Sequence, residues 1–316
     1  MSKVAITGAA GNLGGLLAEA MKDPAVDLNL LIHKKDISES LKNKSNIKVF
    51  RTDLSKPETL TDALEGVDTI VHFAGILFKA NPEKFLPVTN TQYFRNLLDV
   101  SVRQKIKRII LISFPHVEGE CTPENPATGT LGGNPESVHA RTRLEEEKLL
   151  FQYEKDYSFE AVSLRVGMVY GKGILMIDAA QWFARHWLLG VWRRPTYIHL
   201  ISKTDFTDAT MAAVMKPGIR GIYHVGDEGI QTLQQFLDDI TVYRKNHKPW
   251  RMPVRMIMTA ARCFELFSAV FGTRSPLTVD FIKIGRASYY GDTKRMRQEL
   301  LPRLKYKTYR DGMELF

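Results

Sequence analysis

The stretch that decides the fold is 3-KVAITGAAGNLGG-15, near the start of a chain of 316 residues. A strand-like run leads directly into three glycines, Gly8, Gly11 and Gly14, and helix-forming residues follow. In such a unit the first glycine permits the tight turn, the second lets a pyrophosphate approach the backbone, and the third lets helix and strand pack closely. The helix N-terminus then offers free N–H groups to phosphate oxygens. The stretch predicts a dinucleotide-binding βα unit; a plain βα turn is the alternative.

The same alternation of strands and helices continues beyond this unit. Apolar runs bounded by turn signals read KVAIT, LNLLI, IKVF, DTIVHFAG, KRIILIS and FEAVSLRV. Segments with helical periodicity lie between them, at 12–22, 57–65, 84–104 and 137–154. This pattern predicts an α/β protein with a Rossmann-type, doubly wound parallel sheet.

The rhythm breaks down after Gly171, where proline, tryptophan and irregular stretches become frequent. We therefore predict a dinucleotide-binding domain over residues 1–170, with parts of 200–230 returning to it. The remainder, 171–316, is predicted to form a smaller C-terminal α/β lobe on the substrate side.

Composition narrows the classes of partner. The formal net charge of +9 favours acidic ligands such as phosphates, but the positive residues are scattered, so we expect no nucleic-acid binding. Cys121 and Cys263 lie far apart without metal-ligand spacing, which predicts neither a disulfide framework nor a metal site. We expect a cytoplasmic protein without a signal peptide or a transmembrane segment.

The end of the second strand bears on the choice of cofactor. An NAD-preferring site places an acidic residue there to hold the ribose 2′-hydroxyl, whereas this chain has His33, Lys34 and Lys35. Positive charge suits a 2′-phosphate, so we predict NADP, with NAD as the alternative. The two lysines would otherwise simply solvate the start of a surface helix.

The next strand end adds a carboxylate. Asp53 precedes a helix start at which Ser55 is predicted to cap and Pro57 to occupy the first turn. Its carboxylate would then be free to accept from an adenine amino group, although an Asp that simply forms a turn is a competing interpretation. The fourth strand ends in small residues, Ala74 and Gly75, past which a cofactor backbone could run closely.

Taken in order, these motifs resemble a known family. TGAAGNLGG, TDLSKPETLTDALEGVDTIVHFAG, VTNTQYFRNLLDV, KRIILIS, SLRVGMVYGKG, DFTDAT and GIYHVGDEG are similar to the extended and atypical short-chain dehydrogenase/reductases. That group includes nucleotide-sugar epimerases and dehydratases, dihydroflavonol-type reductases and 3β-hydroxysteroid dehydrogenases. The resemblance implies bound NAD(P) and a substrate cleft roofed by the C-terminal lobe. It carries cofactor contacts over to Gly8, Gly11, Asn12, Leu13, Asp53, Leu54, Ala74, Gly75 and Asn90.

The family's catalytic Ser/Thr, Tyr and Lys do not carry over. Val117 sets the register of the first position, which puts Phe114 in the Ser/Thr place with Ser113 one residue early. Glu147 sets the register of the other two, and it places Arg143 at the lysine and His139 at the tyrosine. All three positions are therefore altered.

The replacements differ in what they preserve. Arg143 keeps a charge and can still donate to the nicotinamide ribose, so cofactor binding can survive. His139 can hold a proton, with an ordinary pKa of about 6.5, but Arg143 disfavours its charged form. Alternatively, both residues merely cap and solvate their helix. His116 is a spare acid/base candidate, for which an ordinary loop histidine is the alternative.

Two hypotheses for function follow. The first is an NADP-linked oxidoreductase or epimerase-like enzyme acting on a hydroxyl or keto compound, with His139 in place of the phenol. The second is a catalytically degenerate NADP(H)-binding sensor or accessory protein. The sequence does not identify the small-molecule substrate.

Two surfaces bear on further partners. The segments QWFARHWLLGVWRRPTY (181–197) and VRMIMTAARCFELFSAVFG (254–272) are apolar and aromatic with interspersed arginines. They fit an apolar substrate pocket or a membrane-surface face, but ordinary packing within the second lobe is favoured. The resemblance also implies a homodimer through helices 84–104 and 137–154. Its apolar contacts would come from Leu97, Leu98, Leu149, Leu150 and Phe151, unless these pack on the sheet.

Overall fold

In the computed structural model of the chain, the described residues are 2–23, 25–76, 79–271, 275 and 277–316. The strands are β1 Lys3–Thr7, β2 Asp27–Ile32, β3 Ile47–Arg51, β4 Thr69–His72, β5 Arg108–Ser113, β6 Glu160–Val166, β7 Met168–Tyr170, β8 Gly190–Trp192, β9 Tyr197–Ile198, β10 Leu200–Ser202, β11 Gly221–Val225, β12 Gln231–Thr232 and β13 Trp250–Met252. The helices are α1 Asn12–Ala20, α2 Thr61–Leu64, α3 Tyr93–Arg103, α4 Val138–Asp156, α5 Leu175–Arg185, α6 Lys203–Met215, α7 Leu233–Tyr243, α8 Val254–Phe271, α9 Val279–Arg286 and α10 Lys294–Glu299. A 3-10 turn, Pro57–Leu60, precedes α2, and a π-helical turn, Pro87–Gln92, precedes α3.

A seven-stranded sheet with the order β11–β6–β5–β4–β1–β2–β3 forms the centre, and every neighbouring pair in it is parallel. The strand order reverses at β1, which lies between β2 and β4. In open α/β sheets such a reversal leaves a crevice at the carboxyl ends of the strands, where ligands bind. The predicted Rossmann-type fold is confirmed.

Helices cover both faces of this sheet, because each central strand is apolar on both sides. α1 and α6 pack over one face, and α2, α3 and α4 pack over the other. The apolar residues beneath α1 and α6 form a first core, and those beneath α2, α3 and α4 form a second core. The second core contains Leu97, Leu98, Leu149 and Leu150. The prediction that they form an apolar dimer interface is wrong, because the sheet of their own chain already buries them; the oligomeric state itself stays a prediction.

The C-terminal half returns to the sheet and also builds small elements of its own. β11 joins the sheet edge beside β6, in parallel register from Gly221–Val162 to Val225–Val166. The short pairs β7–β10, β8–β13 and β9–β12 lie outside the main sheet. The domain boundary at residue 170 stays a prediction.

Helix α8 is more exposed than the favoured prediction of ordinary packing within the second lobe requires. Only Ile257, Ala261 and Ser268 are buried along its 18 residues. Its large apolar side chains include Leu266, 67% exposed, and Val270, 68% exposed. The predicted segment's last residue, Gly272, lies outside the described residues. No helix in the described part of the chain is long and apolar enough to span a bilayer.

Candidate functional site

The glycine turn has the geometry that a dinucleotide requires. Gly8 adopts φ +68°, a left-handed conformation that favours glycine, and a Cβ there would lie 3.1 Å from the backbone nitrogen of Ala74. A Cβ on Gly14 would lie 2.5 Å from the carbonyl oxygen of Gly8, so only glycine lets α1 approach the turn this closely. Gly11 precedes α1 without a side chain to cap it. The N-terminus of α1 is therefore suited to donate hydrogen bonds to phosphate oxygens.

The side chain of Asn12 connects the glycine turn to the C-terminal half. Its amide nitrogen donates to the carbonyl of Gly173 at 2.6 Å, and its Oδ1 accepts from the backbone nitrogen of Leu175 at 3.0 Å. Leu13 instead packs partly buried against the first core. Asn12 thus fixes the loop before α5 against the N-terminus of α1.

The residues after β2 form an exposed positive group. His33, Lys34 and Lys35 are all exposed immediately after β2 ends. The first acidic residue, Asp36, forms an ion pair with Arg51 at the end of β3. Because this guanidinium already neutralises Asp36, positive charge prevails at the place where a ribose 2′-substituent would lie.

Asp53 is less free than the sequence indicates. Its Oδ1 accepts from the backbone nitrogen of Ser55 at 2.9 Å and from the Ser55 hydroxyl at 2.7 Å. The prediction that Ser55 caps the following helix is wrong, since its hydroxyl closes a turn with Asp53 instead. These bonds lower the pKa of Asp53. Oδ2 lies 3.9 Å from Nε2 of His33, and the neighbouring Leu54 packs partly buried on the second core.

Arg143 lies over the small residues at the end of β4. Its side chain is buried, and a Cβ on Gly75 would lie 3.0 Å from Nη2. Ala74 and Gly75 remain partly or fully exposed. The guanidinium therefore lies beside the backbone past which the cofactor was predicted to run, in the place that the resemblance gives to lysine.

A buried carboxylate accompanies Arg143. Glu146, one turn further along α4, is fully buried, and its Oε2 lies 2.8 Å from Arg143 Nη1. Burial raises the pKa of Glu146 to about 7, although Arg143 opposes the rise, and Glu147 adds to it. The contact gives the guanidinium a fixed direction, although burial favours the neutral form of Glu146 below about pH 7.

Asn90 joins the same side of the site from the π-helical turn before α3. It is buried, and its amide nitrogen donates to the hydroxyl of Thr142 on α4 at 3.0 Å. Its Oδ1 has no hydrogen-bond partner among the described residues. A buried acceptor of this kind is usually satisfied, so it suits a donor supplied by a ligand.

His139 lies at the N-terminus of α4, which the C-terminal lobe caps. Ser137 Oγ accepts from the backbone nitrogen of Ala140, and the Asp280 carboxylate accepts from those of Val138 at 2.9 Å and His139 at 3.3 Å. Burial, and secondarily Arg143, lowers the pKa of His139 to about 3. The imidazole is therefore neutral at physiological pH, holds no proton to give as imidazolium, and is a weaker base than a free imidazole.

Phe114 and His116 continue a chain of rings from His139. The Phe114 ring centre lies 5.6 Å from that of His139 and 5.2 Å from that of His116, which in turn lies 4.0 Å from Tyr289 of the C-terminal lobe. Burial lowers the pKa of His116 to about 3. Ser113 is buried, and its hydroxyl has no hydrogen-bond partner within the described ranges.

A narrow cavity of about 30 Å³ borders His139, between residues 79–86 and α9. Phe85, Asp280 and Ile284 are among its lining residues. Pockets for drug-sized ligands measure about 300–1,000 Å³, so a substrate of that size requires the two walls to separate.

A second buried network holds the loop after β5 against α4. Arg165, fully buried in β6, pairs with Glu147 at 2.5 Å and also with Glu118. Glu118 in turn accepts from the backbone nitrogen of Gly129 at 2.7 Å. Although burial raises the pKa of Glu118, His224 and Arg165 bring it down to about 2. The network fixes the loop that contains Phe114 and His116 against α4 and β6.

The sequence analysis did not identify three residues of the site, Arg51, Glu146 and Asp280. Arg51 and Glu146 are charged residues next to motifs that the sequence analysis identified. Arg51 ends β3, two residues before Asp53, and Glu146 lies at i+3 from Arg143, so both had a local signal. Asp280 lies 142 positions from Val138 and gave no local signal. Among the described residues, no group of three or more His, Cys, Asp and Glu could hold a metal ion.

The chain is similar in sequence to a known protein family and to two dehydrogenases. The model of the NAD dependent epimerase/dehydratase family matches residues 4–194. A uronate dehydrogenase of Pseudomonas syringae pv. tomato is 26% identical over 166 residues, 52% of this chain and 59% of that protein. A uronate dehydrogenase of Pseudomonas putida is 28% identical over 52% of this chain and 60% of that protein. The chain thus aligns with about three fifths of the length of these relatives.

Among solved structures, UDP-glucuronic acid 4-epimerase from Bacillus cereus, in complex with UDP-glucuronic acid and NAD, superposes with a TM-score of 0.75. It is 18% identical, and the match covers 99% of this chain and 97% of that one. At this identity the likeness shows the shared fold.

Proposed function

The chain belongs to the NAD dependent epimerase/dehydratase family, and from this premise we propose that it binds NADP(H) in preference to NAD(H) and acts as an oxidoreductase or epimerase-like enzyme on a hydroxyl or keto compound. When bound, the dinucleotide supplies hydride transfer. The chain's own residues bind and orient it and handle the proton. In this proposal Arg143 takes the place of the family's lysine, and His139 that of its tyrosine.

The observation that carries the proposal is the position of Arg143. Its guanidinium is buried beside Gly75 and held by Glu146 at 2.8 Å, while the glycine turn keeps its open approach. This geometry supports a cofactor site formed by two parts of the chain that are far apart in sequence. Arg143 would donate to ribose hydroxyls, and the α1 N-terminus would bind the pyrophosphate. Asn90 Oδ1 offers a further buried acceptor.

The protonation state of His139 limits its part in the reaction. With its pKa lowered to about 3, the imidazole is neutral near pH 7 and is a weak base. In the proposed role it accepts a proton from a hydroxyl as hydride leaves the same carbon, a transfer that is most efficient when the pKa lies near the working pH. We therefore expect slow proton transfer in either direction and slow turnover at neutral pH. Uronates and UDP-linked sugars, named in the relatives and neighbours, are the first compounds to test.

The test compares cofactor binding by the unmodified protein with cofactor binding by three variants. Arg143→Ala should weaken NADP(H) binding by about 10- to 150-fold, which corresponds to a charged contact of about 1.5–3 kcal/mol. Arg143→Lys should retain most of the affinity. Arg141→Ala is the matched control, since Arg141 lies on the same helix but is exposed and pairs with Glu83. Unchanged NADPH titrations for Arg143→Ala would contradict the proposal.

A second candidate, an NADP(H)-binding protein without turnover, is supported by a different observation. Phe114 replaces a hydrogen-bonding residue, and its ring lies between those of His139 and His116. A substrate oxygen would then lack its second donor. If this is correct, a protein carrying His139→Tyr and Arg143→Lys should stay inactive until Phe114→Ser is added. If the unmodified protein oxidises a hydroxyl at ordinary rates and His139→Ala abolishes this activity, the enzyme is favoured instead.

A further inference from the structure

Helix α8 presents an apolar side to solvent. At about 100° of rotation per residue, Met256, Cys263, Phe267 and Val270 fall within an arc of about 60°. Phe264, Leu266 and Phe271 widen the apolar arc to about 160°. The buried residues Ile257, Ala261 and Ser268 lie to one side of this arc, against the rest of the lobe. The helix is therefore apolar on the side that the protein leaves uncovered.

Two exposed tryptophans adjoin the start of this helix. Trp187 and Trp250 are 62% and 50% exposed, and Trp250 Nε1 donates to the carbonyl of Trp187 at 2.9 Å. The His247 ring lies between them, 4.2 Å from Trp187 and 4.7 Å from Trp250. β13, which contains Trp250, ends one residue before Pro253, after which α8 begins. We call α8 and this tryptophan pair the α8 surface.

The charge around the α8 surface is predominantly positive. Residues 243–271 contain six basic side chains and one acidic residue, Glu265. Glu265 is directed inward, where its Oε1 accepts from the backbone nitrogen of Val279 at 3.0 Å. Arg255 and Arg262 lie beside the apolar arc, about 100° and 120° from Met256. In the described part of the chain, Arg251 is the one basic residue of the six that forms an ion pair, with Asp238.

These features point to one occupant. A helix side is convex, so it does not enclose a small ligand as a pocket does. Apolar side chains flanked by arginines, with exposed tryptophans beside them, match the headgroup boundary of a bilayer, where apolar groups enter and cations meet anionic lipids. We propose that the α8 surface binds peripherally to membranes that contain anionic lipid, with α8 lying in the plane of the interface. The absence of a spanning helix from the described residues is consistent with this mode of attachment.

The experiment measures binding of the full-length protein to two kinds of vesicle. We expect at least ten-fold stronger sedimentation with vesicles of phosphatidylcholine and phosphatidylglycerol (7:3) than with phosphatidylcholine alone, and weaker binding at high salt. Tryptophan emission should shift to shorter wavelength on the anionic vesicles. Phe267→Ser with Val270→Ser should reduce this binding about ten-fold, and Arg255→Gln with Arg262→Gln should remove the preference for anionic lipid.

Controls separate lipid binding from other outcomes. Because the substituted side chains are exposed, circular dichroism and thermal unfolding should be unchanged. Ile230→Ser removes an equally exposed apolar side chain outside α8 and should leave vesicle binding unaltered. Failure to bind either vesicle would overturn the proposal. So would sedimentation velocity showing a dimer that Phe267→Ser with Val270→Ser dissociates, because the surface would then be covered by a second copy.

Discussion

Glu146 provides a direct test of the buried pair behind the cofactor site. Its pKa lies at about 7 in the folded chain against an ordinary value of 4.5. A carboxyl group whose pKa is raised by folding contributes stability that is fully present below the unfolded pKa and is lost as the pH rises through the folded value. Glu146 should therefore lower the free energy of unfolding progressively between about pH 4.5 and pH 7.

The size of the effect follows from the two pKa values. Each unit of difference corresponds to about 1.36 kcal/mol, so this one group should reduce the free energy of unfolding by about 2.5 kcal/mol between pH 5 and pH 8. Glu146→Gln removes the titration. Plotted against pH, the difference in stability between the unmodified protein and this variant should change by that amount, chiefly below pH 7.

The assay is urea unfolding of both proteins at pH 5, 6, 7 and 8. His72, His116 and His139, whose pKa values burial lowers to about 3, oppose the trend, because their contribution is lost as the pH falls below about 6.5. They are present in both proteins and cancel in the difference. Glu145→Gln is the matched control, since Glu145 is half exposed and pairs with Lys148. Parallel curves for the unmodified protein and Glu146→Gln would refute the reasoning.

Further predictions concern the cofactor and the buried framework. Lys34→Ala with Lys35→Ala should weaken NADPH binding selectively in fluorescence titrations, and equal titrations of NADPH and NADH in the unmodified protein would remove the basis for this expectation. Gly14→Ala should lower the free energy of unfolding by about 1–3 kcal/mol, because its Cβ would lie 2.5 Å from a backbone carbonyl. Gly15→Ala, whose Cβ would lie 3.4 Å from the carbonyl oxygen of Ala9, should change the free energy of unfolding little in the same measurement. Glu147→Gln should cost about 1.5–3 kcal/mol in urea unfolding, since it removes one of the two carboxylates that pair with the fully buried Arg165 while Glu118 remains.

The sequence by itself determined the features that depend on local conformation and periodicity. The glycine turn was predicted because its steric demands arise within a few residues, between Gly8 and Gly14. The strands and helices of the first half were predicted because alternation and helical spacing are properties of neighbouring residues. The parallel direction of the strands was predicted from the helices between them, because parallel strands are joined by crossover connections that usually contain a helix.

Only the tertiary structure decided which surfaces meet. Leu97 and Leu149 have the same apolar character as the exposed Leu266, yet the first two face the sheet and the third faces solvent. Asp280 caps α4 through a contact that spans 142 positions, and no local sequence pattern predicts this contact. Burial and ion pairing depend on what packs against a side chain, and that partner is supplied by distant parts of the chain. The pKa of Glu146 and the exposed side of α8 are therefore properties of the assembled fold.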